Sequence, residues 1–171
     1  MKFIQASLAI VAAKFSKTVI STPDAPGAIG PYSQGIMSTN DNGDAILYAA
    51  GQIGLVPSTG VLAEGGITGE TKQLMENIKA IMTAGGATMA DILECNCLLA
   101  DLGEYDAFNQ VYGSYFDADE APARAAFQVA ELPKGARAEV KCTAHFNVAA
   151  KPTTYTSFID DSGMFRGGFM Q

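Results

Sequence analysis

Residues 122–142 read PARAAFQVAELPKGARAEVKC: two apolar, strand-like runs joined by Pro133-Lys134-Gly135. Arg124 stands at the head of the first run, and Lys141 sits where the second should be most apolar. A cation in an apolar strand needs a partner or an anionic ligand. The stretch therefore poses the question of fold and the question of function together.

Upstream of it the hydrophobic period changes twice. KTVIST, GPYSQGIMST and DAILYAAGQIGLV read as short strands punctuated by Pro, Gly, Asn and Asp, with Asp41-Asn42-Gly43 as a hairpin-type turn, and PSTGVLAEGG as a turn with a short extended piece. In TGETKQLMENIKAIMTAGG, residues Leu74, Ile78, Ile81 and Met82 fall on one helical face. Glu70 suits the positive end of that helix, and Gly85-Gly86 stop it. DILECNCLLAD reads as a strand. DLGEYDAFNQVYGSYF reads as a second helix, with capping-box spacing at Asp101 and Glu104 and an inner stripe of Phe108, Val111, Tyr112 and Tyr115. The order ββββ-α-β-α-ββ implies an α+β fold, a mixed sheet covered on one face by two helices. The other sheet face also carries apolar residues that a chain of 171 residues has nothing left to cover. A homo-oligomer that buries it is the physical expectation.

The globular part spans residues 18–149. Residues 1–17, MKFIQASLAIVAAKFSK, carry Lys2 ahead of a short apolar stretch and small residues at Val11-Ala12-Ala13. This suits a secretory signal or an organellar transit peptide, with a cytoplasmic extension as the alternative. The stretch is too short to span a membrane. Residues 150–171 lack periodicity and read as a tail, or as an arm packed on a neighbouring subunit.

The formal net charge is −7, and because Lys2, Lys14 and Lys17 lie in the first segment the rest of the chain carries −10. An acidic body disfavours nucleic acid and anionic membrane as partners. Three cysteines, Cys95, Cys97 and Cys142, are too few and odd in number for a disulfide framework, and the expectation is that all three fill the core. With His145 as the only histidine, no zinc site is expected.

AIGPYSQG (28–35), AAGQIGL (49–55), MENIKAIMTAGG (75–86), FNQVYGSYF (108–116) and PARAAFQVAELPKGARAEV (122–140) together resemble the Rid family of reactive intermediate deaminases, also called YjgF-like proteins. The resemblance covers residues 18–148 with every motif in order. It implies a chorismate-mutase-like subunit and a homotrimer with sites in the intersubunit clefts. It implies hydrolysis of 2-imino and enamino acids, such as 2-iminobutanoate and 2-iminopropanoate, to 2-keto acids and ammonia, with no metal or organic cofactor.

The resemblance also assigns residues. Arg124 takes the place of the family's carboxylate anchor, and a planar guanidinium grips a carboxylate through two hydrogen bonds. Its alternative is a structural salt bridge. Tyr32 matches the pocket tyrosine, as a hydroxyl donor or simply as packing. Gly51 matches a glycine whose backbone N–H approaches substrate, or else marks a strand kink. Ala126 stands where the family often has cysteine, and it retains a backbone carbonyl. Asn77 and Asn109 are expected to tie side chain to backbone.

Two departures stand out. Ala50 replaces a common serine or threonine. The family's Glu-apolar-Glu strand is here Glu139-Val140-Lys141, so Lys141 takes the second glutamate's place. This is expected to weaken hydrolysis, unless a neutral Lys141 acts as base or Schiff-base nucleophile. Otherwise Lys141 pairs with Glu139 or reaches solvent. The competing readings are a non-catalytic trimer that binds small carboxylates as a sensor or regulator, and the nucleic-acid or chaperone roles in the family's older names.

Overall fold

The structure, a computed structural model, describes residues 14–149 and the backbone of two short strands at 157–159 and 165–167. The strands are β1 (Phe15–Ile20), β2 (Gly35–Asn40), β3 (Asp44–Ala49), β4 (Gln52–Ile53), β5 (Ile92–Leu99), β6 (Ala123–Gln128), β7 (Ala138–Asn147), β8 (Ser157–Ile159) and β9 (Phe165–Gly167). The helices are α1 (Gly66–Ala84) and α2 (Tyr105–Gly113). Up to β7 the order ββββ-α-β-α-ββ is the expected one, but the fourth strand, Gln52–Ile53, lies inside the run DAILYAAGQIGLV and not in the segment after it. The domain sheet runs β1-β2-β3-β7-β5-β6, with β4 beside the start of β7. β5 and β6 are parallel, joined by the crossover through α2, and the other neighbours are antiparallel.

Both helices pack on one face. Leu74, Met75, Ile78, Ile81 and Met82 of α1 and Phe108 of α2 have no exposed surface. They meet an inner row on β7 of Ala138, Val140, Cys142 and Ala144, also fully buried. These small side chains let the helices approach the sheet closely. Gly86, at φ +84°, ends α1 as expected, and Ala87 N–H donates to the Met82 carbonyl at 2.8 Å. Gly43, at φ +83°, makes the β2–β3 turn.

Several expectations change in detail. β1 begins at Phe15, so the boundary expected after residue 17 falls inside a strand. Of the address-like segment 1–17, residues 1–13 lie outside the described residues, whereas the tail contains the antiparallel β8–β9 pair. Glu70 does not serve the helix dipole. It is buried, accepts from the Arg137 N–H at 2.8 Å and faces the Arg137 Nε at 3.8 Å. Asp101 caps Gly103 N–H, but Glu104 leaves the capping box to pair with the Arg137 guanidinium.

The cysteines are all buried, as expected, yet Cys95 and Cys142 form a disulfide and only Cys97 is free. They stand directly opposite each other where β5 meets β7, a pairing set by register and not by sequence spacing. The bridge takes Cys95 and Cys142 out of any metal-ligand set. One thiol is expected to alkylate in denaturant without reductant, and three after reduction. Three thiols without reductant would contradict the bridge. Removing it is expected to cost about 2–4 kcal/mol.

Candidate functional site

Glu139 leaves the helix-covered side by the alternation of β7, since Ala138 and Val140 take the core positions on either side of it. Its carboxyl enters a cavity of about 260 Å³ with Tyr32, Gly51 and Ala50 on one side. Ile29, Ile53 and Pro133 make the apolar wall. A Cβ on Gly51 would overlap Oε1 of Glu139, so glycine is what makes room for the acid. Burial raises the Glu139 pKa above the ordinary carboxylate range. No ion pair among the described residues involves Glu139. Tyr32 OH accepts from the Ile29 N–H at 3.1 Å, and its own proton stays available to a ligand.

Arg124 lies elsewhere in the subunit. Its register partner is Cys95, whose partner on the other side is Cys142, and both cysteines belong to the helix-covered core. The guanidinium accordingly meets α2. Nη1 donates to Asn109 Oδ1 at 2.8 Å and Nη2 to Tyr105 OH at 2.9 Å. The guanidinium carbon lies over the rings of Tyr112, at 4.9 Å, and Tyr105, at 5.6 Å. All three α2 partners are neutral, and no ion pair among the described residues includes Arg124. A structural salt bridge is therefore not what holds this cation in the strand. Asn109 departs from expectation, since it holds a guanidinium and not backbone. Asn77 behaves as expected, donating to the carbonyls of Ile53, at 3.2 Å, and Leu55, at 2.9 Å.

Ala126 shares the Arg124 side of β6, half-buried against the core and opposite Cys97. Burial pushes the Cys97 thiol up to about 12, against the opposing pull of the Arg124 charge, so it is no nucleophile at neutral pH. Lys141 shares the open face with Glu139 but is exposed, makes no ion pair among the described residues and does not line the Glu139 cavity. One subunit thus gathers Tyr32, Gly51 and Glu139 and sets Arg124 on the other side of the sheet. The sequence motif placed all four residues but not the face that each occupies. Tyr105 lies outside the stripe of Phe108, Val111, Tyr112 and Tyr115 read from the sequence, and nothing local marked it.

No group of three His, Cys, Asp or Glu able to hold a metal occurs among the described residues. None of the described helices is long and apolar enough to cross a membrane.

The open face carries exposed Val19, Ile46, Tyr48 and Phe127. Val19, Ile36 and Tyr48 line up across three adjacent strands, and Phe127 and Leu98 line up with Glu139.

Comparison with known proteins gives a consistent answer. The family described as endoribonuclease L-PSP matches residues 22–146. The human 2-iminobutanoate/2-iminopropanoate deaminase is 44% identical over 128 residues, 75% of this chain and 89% of that protein. The chloroplastic Reactive Intermediate Deaminase A of Arabidopsis thaliana is 37% identical over 139 residues, 81% of this chain and 71% of that one. Among solved structures, a Rid-family protein of Yersinia pestis superposes with a TM-score of 0.70 at 40% identity, covering 77% of this chain and all of its own. E. coli TdcF with bound serine superposes with a TM-score of 0.68 at 34% identity, covering 76% of this chain and 99% of its own. The mixed sheet under two helices, the motif-bearing strands and these likenesses agree: the chain belongs to the endoribonuclease L-PSP family, the YjgF-like or Rid group.

Proposed function

We propose that the protein hydrolyses 2-imino acids and their enamine tautomers, such as 2-iminobutanoate and 2-iminopropanoate, to 2-keto acids and ammonia. The observation that carries this reading is Glu139, a carboxyl of raised pKa, with no ion-pair partner among the described residues, lining a largely apolar cavity with Tyr32 and Gly51. Such a group takes and returns a proton near neutral pH more readily than an ordinary carboxylate. The human and Arabidopsis relatives carry deaminase names, which supports the same chemistry.

In the proposed reaction Glu139 removes a proton from water as the oxygen adds to the iminium carbon, giving a carbinolamine. Glu139 returns that proton to nitrogen. The C–N bond breaks as the carbonyl forms, and the hydroxyl proton leaves with ammonia as ammonium. Tyr32 OH donates to the substrate. Arg124 of a neighbouring subunit grips the carboxylate, because within one chain it faces away from Glu139. A homotrimer with intersubunit sites is thus part of the proposal, and the exposed apolar rows of the open face support it. The test is release of keto acid from freshly generated 2-iminopropanoate by the purified protein. Binding of 2-keto acids without turnover would favour the second reading, a carboxylate-binding trimer, which the unpaired Arg124 and the serine-bound TdcF structure support.

Two variants separate the cations. Arg124→Lys is expected to keep the fold and weaken 2-keto acid binding by about 1–3 kcal/mol, since lysine cannot hold Asn109, Tyr105 and a carboxylate together. Unchanged affinity by calorimetry removes Arg124 from the site. The position of Lys141 outside the cavity argues against the weakened activity expected from its replacement of glutamate. Lys141→Ala is expected to hydrolyse imines within about threefold of the unaltered protein, and a hundredfold loss would return Lys141 to the site.

An organellar address in residues 1–17, a plastid transit peptide foremost, is proposed on the chloroplastic relative. A fluorescent fusion retained in the cytosol contradicts it.

A further inference from the structure

Gln34 is buried, yet it lines neither side of the Glu139 cavity. Its side-chain amide is used at both ends. Oε1 accepts from the Thr22 N–H at 2.7 Å. Nε2 lies within hydrogen-bond distance of three carbonyls, those of Thr22 at 3.0 Å, Ala25 at 3.1 Å and Pro26 at 2.8 Å. The backbone carbonyl of Gln34 accepts from the Ala50 N–H at 2.9 Å. One residue therefore fixes the segment that leads into Ile29–Tyr32 and also the turn that carries Ala50 and Gly51. Residues of both, Ile29 and Tyr32 on one and Ala50 and Gly51 on the other, line the Glu139 cavity.

We propose that Gln34 is a positioning residue of the deaminase site, holding the Ile29–Tyr32 wall over Glu139 so that the cavity excludes water and presents the Tyr32 hydroxyl to substrate. This rests on the function proposed above. The segment from Pro23 to Ser33 contributes no strand to the sheet. Without the amide, three carbonyls and one N–H lose their common partner, and Ala25 in the core is left to anchor the segment by packing. Water then reaches Glu139, and the burial that raises its pKa diminishes.

Within one subunit the charged and titratable surroundings of Glu139 are few, and the proposed assembly adds Arg124 of the neighbouring subunit in the wild type and the variant alike. Tyr32 lines the cavity, Lys141 flanks Glu139 on its own strand, and Lys134 sits in the turn beside Pro133. Across the sheet the partners are the uncharged Ile53 and Leu98. Desolvation is accordingly what the wall controls.

The experiment compares the full protein with Gln34→Met by two readouts, steady-state imine hydrolysis across pH and the 13C-detected titration of the Glu139 carboxyl. The expected result is a downward shift of the Glu139 midpoint in the variant. The limb of the pH–rate profile that follows it moves the same way, and KM rises about tenfold while kcat on the plateau above both midpoints is held more nearly constant. An unchanged Glu139 midpoint in a folded variant overturns the proposal. Should Gln34→Met fail to fold, Gln34→Asn serves. It keeps the amide but withdraws it by one methylene, and it is expected to shift the midpoint in the same direction by less. A wild-type protein without turnover whose Glu139 midpoint still falls on substitution would retire the deaminase reading and leave Gln34 as the holder of the wall. Turnover with an unmoved midpoint would do the reverse.

Discussion

Replacing Glu139 by glutamine is expected to lower imine hydrolysis by about 10²–10⁴-fold, the usual contribution of a placed acid–base group. Binding of 2-keto acids should persist, because Arg124 and Tyr32 are untouched. Shape and hydrogen-bonding capacity are nearly preserved, so the loss reads out proton transfer and not collapse of the cavity. The same variant has a signature in stability. The folded-state pKa of Glu139 is raised above its unfolded value by burial. The stability it contributes is therefore fully present below the unfolded pKa and is lost as pH rises through the folded one. Glutamine carries no such dependence. The melting temperature of Glu139→Gln relative to the unaltered protein should rise with pH across that window. A difference that is flat with pH, or turnover within a few-fold of normal, would remove Glu139 from the reaction.

The second large effect is expected at Gly51. A methyl group there would occupy the space of Glu139 Oε1, and the carboxyl is the freer of the two to move. Gly51→Ala is expected to push the carboxyl out of the cavity and to cost nearly as much activity as Glu139→Gln, about 10²-fold or more. Its effect on stability should be modest, because the displaced group is a half-buried side chain and not backbone. The two changes should be non-additive, since each removes the same carboxyl from the same place. Additive losses would mean that Gly51 serves substrate through its own N–H, as the family resemblance implies.

Much of this was legible in the sequence where a local pattern decides the structure. The apolar stripe from Leu74 to Met82 and the glycines that end it specify α1, and Asp41-Asn42-Gly43 specifies a hairpin. The candidate residues Tyr32, Gly51, Arg124 and Glu139 were named through the family resemblance of the motifs that carry them. What stayed hidden depends on register between distant strands. Cys95 and Cys142 meet because β5 and β7 align them, over a separation of 47 residues. Arg124 and Glu139 part because one alternates toward α2 and the other away from it. Lys141 looked out of place while residues 136–142 read as one apolar run. Its exposed side is the ordinary polar half of a strand whose other half is core. Asn109 and Tyr105 could not be read as holders of Arg124, because the contact joins a helix to the strand that follows it through side chains alone.

The central claim is that the working site joins Glu139 of one subunit to Arg124 of the next, and mixed subunits test it most directly. Arg124→Ala and Glu139→Gln homomers should each be inactive. Co-refolded in equal amounts, they should regain about a quarter of the wild-type activity, since random cyclic assembly puts an intact arginine beside an intact glutamate at that frequency. A mixture as inactive as its parents, with subunit exchange verified by mass spectrometry, would contradict a site shared between subunits.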